Sequence, residues 1–260
     1  MNTPTWTRVR LEERGAVCHL ALHRPEAGNR IDVPMVRELE EACHYLEDDS
    51  PSSLVVVRGS GGVFTEGIDL GEFSLERPPD VHGFHRWEKA LQALEKLKKA
   101  TVAVLEGPCR GGGVQLAMAC DVRLATRSAR LAVDEVKLGF LPGLGTWRLP
   151  RFIGLGRARE LVATGRTLTG DEAREVGLVD RVCAEDELDA ALDRTLADLL
   201  PVNGTPLALA RRLLGEAFSE SYETALGNFL AAQARCLATE PFLRQYQQRL
   251  QPRDEAPPHP

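Results

Sequence analysis

Glu106-Gly107-Pro108-Cys109-Arg110-Gly111-Gly112-Gly113-Val114-Gln115-Leu116-Ala117 is the stretch whose reading decides the fold. It follows the apolar, strand-like run Thr101-Val102-Ala103-Val104-Leu105 and opens a helix-like run ending near Cys120. Three glycines at a strand-to-helix junction leave backbone N–H groups unencumbered at the positive end of a helix. An anionic oxygen finds ready donors there. On spacing alone the run is equally a tight structural joint. A dinucleotide-phosphate loop is disfavoured, because no G-x-G-x-x-G is present and no acidic partner follows at the expected distance.

Outward from this stretch, short strands alternate with helices. Residues 7–22 alternate polar and apolar as a hairpin does, turning near Glu13-Arg14-Gly15. A helix starts at Asp32-Val33-Pro34, with Asp32 as cap and Val36, Leu39, Ala42 and Leu46 at helical spacing. Leu54-Val55-Val56-Val57 reads as a buried strand and 81–99 as a helix with Trp87, Leu91, Leu94 and Leu97 on one face. Beyond the glycines, 122–125 and 130–133 read as strands, 146–164 and 169–176 as helices, and 178–182 as a strand. The segments 185–200, 205–218 and 222–248 are helical. This pattern predicts an α/β body over 1–200 with parallel pairing, a helical region over 201–252, and a disordered, proline-rich tail over 253–260.

The composition is that of a soluble globular protein: 260 residues, 43% hydrophobic, 27% charged, net charge −6. That charge gives no attraction to nucleic acid or to an anionic membrane. No apolar stretch approaches the roughly 18 residues of a membrane span. The first residues lack a charged-then-apolar leader pattern, so a cytoplasmic location is expected. Six cysteines without a C-x-x-C pair read as free thiols, and no histidine spacing suggests a metal site.

Three segments carry chemistry: Val63-Phe64-Thr65-Glu66-Gly67-Ile68-Asp69-Leu70, the glycine stretch, and Asp134-Glu135-Val136-Lys137-Leu138-Gly139-Phe140-Leu141-Pro142-Gly143. In this order they resemble the F-x-x-G-x-D-L, G-x-x-x-G-G-G-x-x-L-A and E-x-x-x-G-x-x-P motifs of the enoyl-CoA hydratase/isomerase (crotonase) superfamily. His23-Arg24-Pro25 with Asn29, Cys120-Asp121, and Thr169-Gly170-Asp171-Glu172-Ala173 before Gly177-Leu178-Val179 extend the resemblance across roughly residues 7–250. It implies an α/β fold, a crotonase-like spiral of ββα turns, whose helical C-terminal region builds a homotrimer or a dimer of trimers. The implied ligand is an acyl thioester of coenzyme A or of an acyl carrier protein. Coenzyme A enters as part of the substrate, with no other cofactor.

By motif position, the resemblance makes the backbone N–H groups of Ile68 and Gly112 an oxyanion hole for a thioester enolate. Two such donors can contribute about 3–4 kcal/mol each. Gly67, Gly111, Gly113, Phe73, Trp87, Pro142 and Gly143 are the expected substrate contacts, with the acyl pocket drawn from residues 71–90, including Leu75 and Phe84. Asp69 is expected to cap the following turn. Glu135 matches one of the two glutamates that hydratases of this family place across the substrate. Gln115 stands where the other would be, and an amide cannot exchange a proton; losing one general acid/base group costs about 10²–10⁴ in rate. One carboxylate suffices to move a proton from C2 to C4 of a 3-enoyl thioester, so the resemblance favours an isomerase with Glu135 and Gln115 as its catalytic residues. Hydration or dehydration, decarboxylation in a biosynthetic pathway, and a non-catalytic acyl-CoA-binding member are the alternatives. The stretch Pro142-Gly143-Leu144-Gly145-Thr146-Trp147-Arg148-Leu149 is one residue shorter than the family's P-G-x-G-G-T-x-R-L, a further departure from hydratases.

Overall fold

The computed structural model describes residues 5–74, 76, 80–202 and 204–250. Leu75 and the tail 253–260 lie outside the described residues. The chain divides into two compact units at Gly204.

In the first unit, β1 (Val9–Arg14) and β2 (Val17–Leu22) form the antiparallel hairpin that the alternation predicts. Next come α1 (Val33–Asp48), β3 (Leu54–Gly59), α2 (Val81–Glu95), β4 (Ala100–Leu105), β5 (Pro108–Arg110) and α3 (Gly112–Met118). They are followed by β6 (Val122–Thr126), β7 (Arg130–Ala132), α4 (Gly145–Ile153), α5 (Leu155–Thr164), β8 (Thr167–Thr169), α6 (Gly170–Val176), β9 (Arg181–Cys183) and α7 (Leu188–Leu199). A six-stranded sheet runs β1-β2-β3-β4-β6-β9, parallel from β2 onward, and a second sheet runs β5-β7-β8. Successive turns of chain place one strand in each sheet: β4 then β5, β6 then β7. The turn begun by β3 contributes only Thr65, bridged in parallel to Cys109. The ββα unit therefore repeats with a small lateral step, giving a spiral.

Local chemistry explains the element starts. The Asp32 carboxylate accepts the Met35 N–H at 2.8 Å, with Pro34 in the first turn, so α1 begins there and buries Met35, Leu39, Ala42, Cys43 and Leu46. Asp80 caps α2 in the same way, and α2 buries Trp87, Ala90, Leu91 and Leu94 against α1. The central strand β4 is buried throughout, as expected of a parallel strand covered on both faces.

Four expectations change. The helix read over 146–164 is two helices, broken at Gly154, whose φ of +77° cannot continue a right-handed helix. The strand read over 178–182 starts only at Arg181, because the Gly177 αL cap ends α6 and the chain must first turn back. The helix read over 185–200 opens with a 3₁₀ turn at Glu185–Glu187. The three-residue strands β5 and β8 escaped the pattern because period-2 alternation needs more residues to register. In the second unit, α8 (Thr205–Glu216), α9 (Tyr222–Leu237) and α10 (Glu240–Leu250) form a helical array; the single helix expected over 222–248 is interrupted between α9 and α10.

The cysteines are free thiols, all buried except the partly exposed Cys236. Burial pushes the Cys18 and Cys43 thiols up to about 12, which leaves them inert packing groups. Among the described residues no cluster could hold a metal ion, and no helix is long and apolar enough to cross a membrane.

Gly59, at the end of β3, tolerates no side chain: a β-carbon there would lie 1.8 Å from the Val63 carbonyl oxygen. Gly59→Ala forces that backbone apart. The expected loss is about 1–3 kcal/mol, read as a lower urea midpoint with an unchanged slope.

Candidate active site

Backbone donors stand free at Ile68 and at Gly112–Gly113, between stretches whose other donors are used. From Thr65 to Asp69, the N–H groups of Thr65, Glu66 and Asp69 donate to the carbonyls of Pro108, Gly28 and Ile31, and Gly67 donates to Thr65 Oγ1. Ile68 N–H finds no acceptor among the described residues. From Arg110 onward, Arg110 donates to the Thr65 carbonyl, Gly111 to Ala132, and Val114 and Gln115 to Gly111, while Gly112 and Gly113, opening α3, have none. A β-carbon on Gly112 would lie 3.6 Å from Ile68 Cγ1, which brings the two stretches side by side.

The frame around them is polar and buried. Thr65, fully buried, donates through Oγ1 to the Asn29 carbonyl at 2.7 Å. Asn29 takes the left-handed conformation (φ 52°) and spends its amide on Ser60 and Val63 carbonyls, at 2.9 and 2.6 Å, and on the Arg24 N–H. Asp69 caps the turn at Leu70–Glu72 through the Gly71 N–H and accepts Arg24 Nη1 at 2.5 Å. Burial alone would raise the Asp69 carboxyl; Arg24 and the Gly71 N–H overcome it and hold the carboxyl below the ordinary range. Asp69 thus fixes the loop that presents Ile68.

Glu135 opens a 3₁₀ turn (Glu135–Leu138) directly after β7 and is 6% exposed. Its carboxylate overhangs the glycines: a β-carbon on Gly111 would lie 2.9 Å from Glu135 Oε1. Burial pushes its pKa up, reinforced by Asp134 and opposed by its own and Asp134's backbone N–H groups and by Arg110. Asp134 is paired with Arg110, and the two line the second cavity described below. On α3, Gln115 is 4% exposed and one turn beyond Gly112.

Three cavities meet at Ile68. The first, ≈ 340 Å³, is lined by Ile68, Trp87, Gln115, Glu135 and Gly143, with Phe84, His85, Glu88, Phe140, Leu141 and Leu144. Trp87 Nε1, Gln115 Oε1 and Glu135 Oε2 are buried without a hydrogen-bond partner, and all three belong to residues lining this one cavity. Buried polar atoms are ordinarily paired, so their convergence marks a place built for a ligand. The second cavity, ≈ 300 Å³, joins Ile68 and Glu135 to Gly67, Gly111, Arg30 and Arg110. The third, ≈ 380 Å³, joins Ile68, Phe84 and Trp87 to Ile31, Val36 and Phe73.

The structure therefore brings Ile68, Gly112, Glu135, Gln115, Trp87 and Gly143 together. Gly67 and Gly111 lie at the second cavity and Phe73 at the third. Two expected substrate contacts are placed elsewhere. A β-carbon on Gly113 would lie 2.3 Å from Thr65 Cγ2, so this glycine serves the close packing of α3 on Thr65. Pro142 is buried and accepts the Gly145 N–H, which supports the loop and leaves the cavity wall to its neighbours.

Phe140, Leu141 and Leu144 were not anticipated, and Glu88 and His85 fall within the expected 71–90 stretch without having been singled out. Glu88 had a signal: it shares a helix face with Phe84, Trp87 and Leu91. It accepts the Leu144 N–H at 3.2 Å and pairs with Arg148 at 2.8 Å, and Arg148 also holds Glu95. Desolvation would lower the buried Arg148, but Glu95 and Glu88 keep it charged. This pair of glutamates on α2 tethers the shortened loop.

The comparisons with known proteins agree with this geometry. The family model described as enoyl-CoA hydratase/isomerase matches residues 12–247. This chain belongs to that family. It is 32% identical over 237 residues to the short-chain-enoyl-CoA hydratase of Clostridium acetobutylicum, covering 89% of this chain and 90% of the relative. The crystal structure of an enoyl-CoA hydratase from Bacillus anthracis superposes with a TM-score of 0.85 at 28% identity, over 92% of this chain and 95% of that one. A Thermobifida fusca YX protein crystallised in complex with acetoacetyl-CoA superposes with a TM-score of 0.79 at 31% identity, over 89% and 95%. The fold is that of the crotonase superfamily, and the chain is an acyl-CoA enzyme of the hydratase/isomerase family.

The raised pKa of Glu135 has a consequence for stability. A carboxyl whose folded pKa lies above its unfolded value stabilises the fold fully at low pH and loses that contribution as pH rises through the folded pKa. Glu135→Gln is therefore expected to raise Tm at pH 7, by roughly 2–4 °C for each kcal/mol released. Below the ordinary glutamate range, near pH 4, the gain disappears. Calorimetry at the two pH values checks this.

Proposed function

We propose that the chain isomerises 3-enoyl thioesters of coenzyme A to the conjugated 2-enoyl form. The observation that carries this reading is the pairing of two free backbone donors, Ile68 and Gly112, with one buried carboxylate oxygen, Glu135 Oε2, that has no partner. At the position where a second acid would share the work stands the amide of Gln115. The thioester carbonyl oxygen accepts from Ile68 and Gly112. Glu135, made more basic by burial, takes a proton from C2, and the electron pair spreads into a dienolate whose oxygen the two N–H groups hold. The Glu135 acid then returns the proton at C4, the double bond comes to rest between C2 and C3, and the carboxylate is regenerated. Coenzyme A as carrier is supported by the Thermobifida neighbour's complex.

Hydration is the second reading, favoured by Glu88, a second carboxylate on the same cavity wall. An isomerase raises the ultraviolet absorbance of a 3-enoyl-CoA as the conjugated thioester forms and incorporates no labelled solvent oxygen. A hydratase consumes the conjugated species and takes that oxygen up. Assembly as a homotrimer or dimer of trimers is supported by the exposed apolar side chains of the second unit, among them Leu214, Phe218, Phe229 and Phe242; sedimentation equilibrium tests it.

Glu135→Gln is expected to lower kcat about 10²–10⁴-fold. The oxyanion donor is tested by comparing two variants at Gly112, the first residue of α3, where proline is tolerated in a helix. Gly112→Ala adds a β-carbon and keeps the N–H; Gly112→Pro also deletes the donor. Loss of one such donor costs about 10²–10³ in kcat, so the proline variant should fall that far below the alanine variant. Equal kcat for the two would remove Gly112 N–H from the mechanism.

A further inference from the structure

We propose that the acyl chain accepted here carries a neutral hydroxyl group of its own, held between the Trp87 indole N–H and the Gln115 side-chain carbonyl. The proposal rests on the reading of the ≈ 340 Å³ cavity as the acyl site of a thioester. Trp87 and Gln115 are each 4% exposed, and Trp87 Nε1 and Gln115 Oε1 are buried and unpartnered. The indole nitrogen only donates, and the amide oxygen only accepts. A single oxygen that meets both must accept one hydrogen bond and donate another, which a hydroxyl does. A ketone oxygen satisfies the indole and leaves Gln115 unmet; a methyl group satisfies neither.

Both residues lie beside Gly112, the proposed donor to the thioester carbonyl. A β-carbon on Gly112 would lie 3.5 Å from Trp87 Cζ2, one ring atom removed from the carbon that carries Nε1. Gln115 follows Gly112 by one helical turn, so its side chain reaches the same wall. The remaining lining disfavours an acidic substituent. Phe84, Phe140, Leu141 and Leu144 are apolar, His85 is the one other polar residue there among the described residues, and the carboxylates of Glu135 and Glu88 repel an anion. The hydroxyl is therefore a substituent on an otherwise apolar chain.

Binding of saturated, unreactive CoA thioesters tests this. Chains of four to six carbons with a terminal hydroxyl are compared by calorimetry with isosteres in which a methyl group replaces it. For at least one length, the hydroxyl member should bind about 10-fold tighter or better, the size expected for leaving buried partners unmet. Trp87→Phe and Gln115→Leu should each cut that preference, the ratio of the two affinities, to within about 3-fold. Circular dichroism establishes that each variant is folded, and either one alone decides the point. Equal binding of hydroxyl and methyl members at every length overturns the proposal, as does a preference that survives in a folded variant. Failure of every thioester to bind overturns instead the acyl-thioester reading on which the proposal stands.

Discussion

Thr65 is the joint on which the site depends. Its N–H and carbonyl pair with Pro108 and Arg110, its hydroxyl links Asn29 to Gly67, and its methyl fills the space that a side chain on Gly113 would take. No hydrogen-bonding group of the residue is left over. Two chain segments more than forty residues apart are thereby locked in register, and that register leaves Ile68 and Gly112 with N–H groups pointing at no acceptor. The free donors are a by-product of the register that Thr65 imposes on the two segments. Their preorganisation costs nothing further when a charge develops beside them.

Around that joint three unmet polar atoms share one cavity, while Glu13 Oε2, Arg123 Nε and Glu216 Oε2 are unmet singly elsewhere. Most buried polar side chains elsewhere are bonded, as in the chain of Arg8, Asp32, Arg24 and Asp69 behind the site. Trp87, Gln115 and Glu135 each bring an orphaned atom to the same cavity. The free energy withheld there from folding is available to whatever ligand completes the bonds. The same bargain appears in Glu135, whose burial makes it a better base and a less comfortable residue.

Much of the framework was legible in the sequence, because long elements carry their own signals. The β1–β2 alternation, the Asp32 cap and the apolar spacing of α1 and α2 each name an element within a few residues. The glycine junction and the two flanking motifs pointed to Ile68, Gly112, Glu135 and Gln115, and the folded chain brings all four together. What stayed hidden depends on contacts distant in sequence. The three-residue strands β5 and β8 are defined by their partners more than by their own pattern. Gly113 looks like any other member of the glycine run until Thr65 is seen against it. Glu88 looks like a surface acid on an amphipathic helix until Arg148 and the Leu144 N–H arrive from the loop. Nothing local distinguishes an orphaned indole N–H from a bonded one, so the most informative property of Trp87 was unreadable before folding.

The proposed oxyanion donors belong to the main chain, and inheritance treats them differently from the side chains facing them. A substitution at Ile68 exchanges the side chain and, unless proline arrives, keeps the N–H. A substitution at position 115 or 135 alters the proton chemistry outright. Drift can therefore rewrite which bond is made or broken while the means of holding an enolate passes on intact. Under the proposed isomerase reading, the amide at Gln115 is such a rewriting, in a scaffold whose free main-chain donors carry no sequence signature of their own.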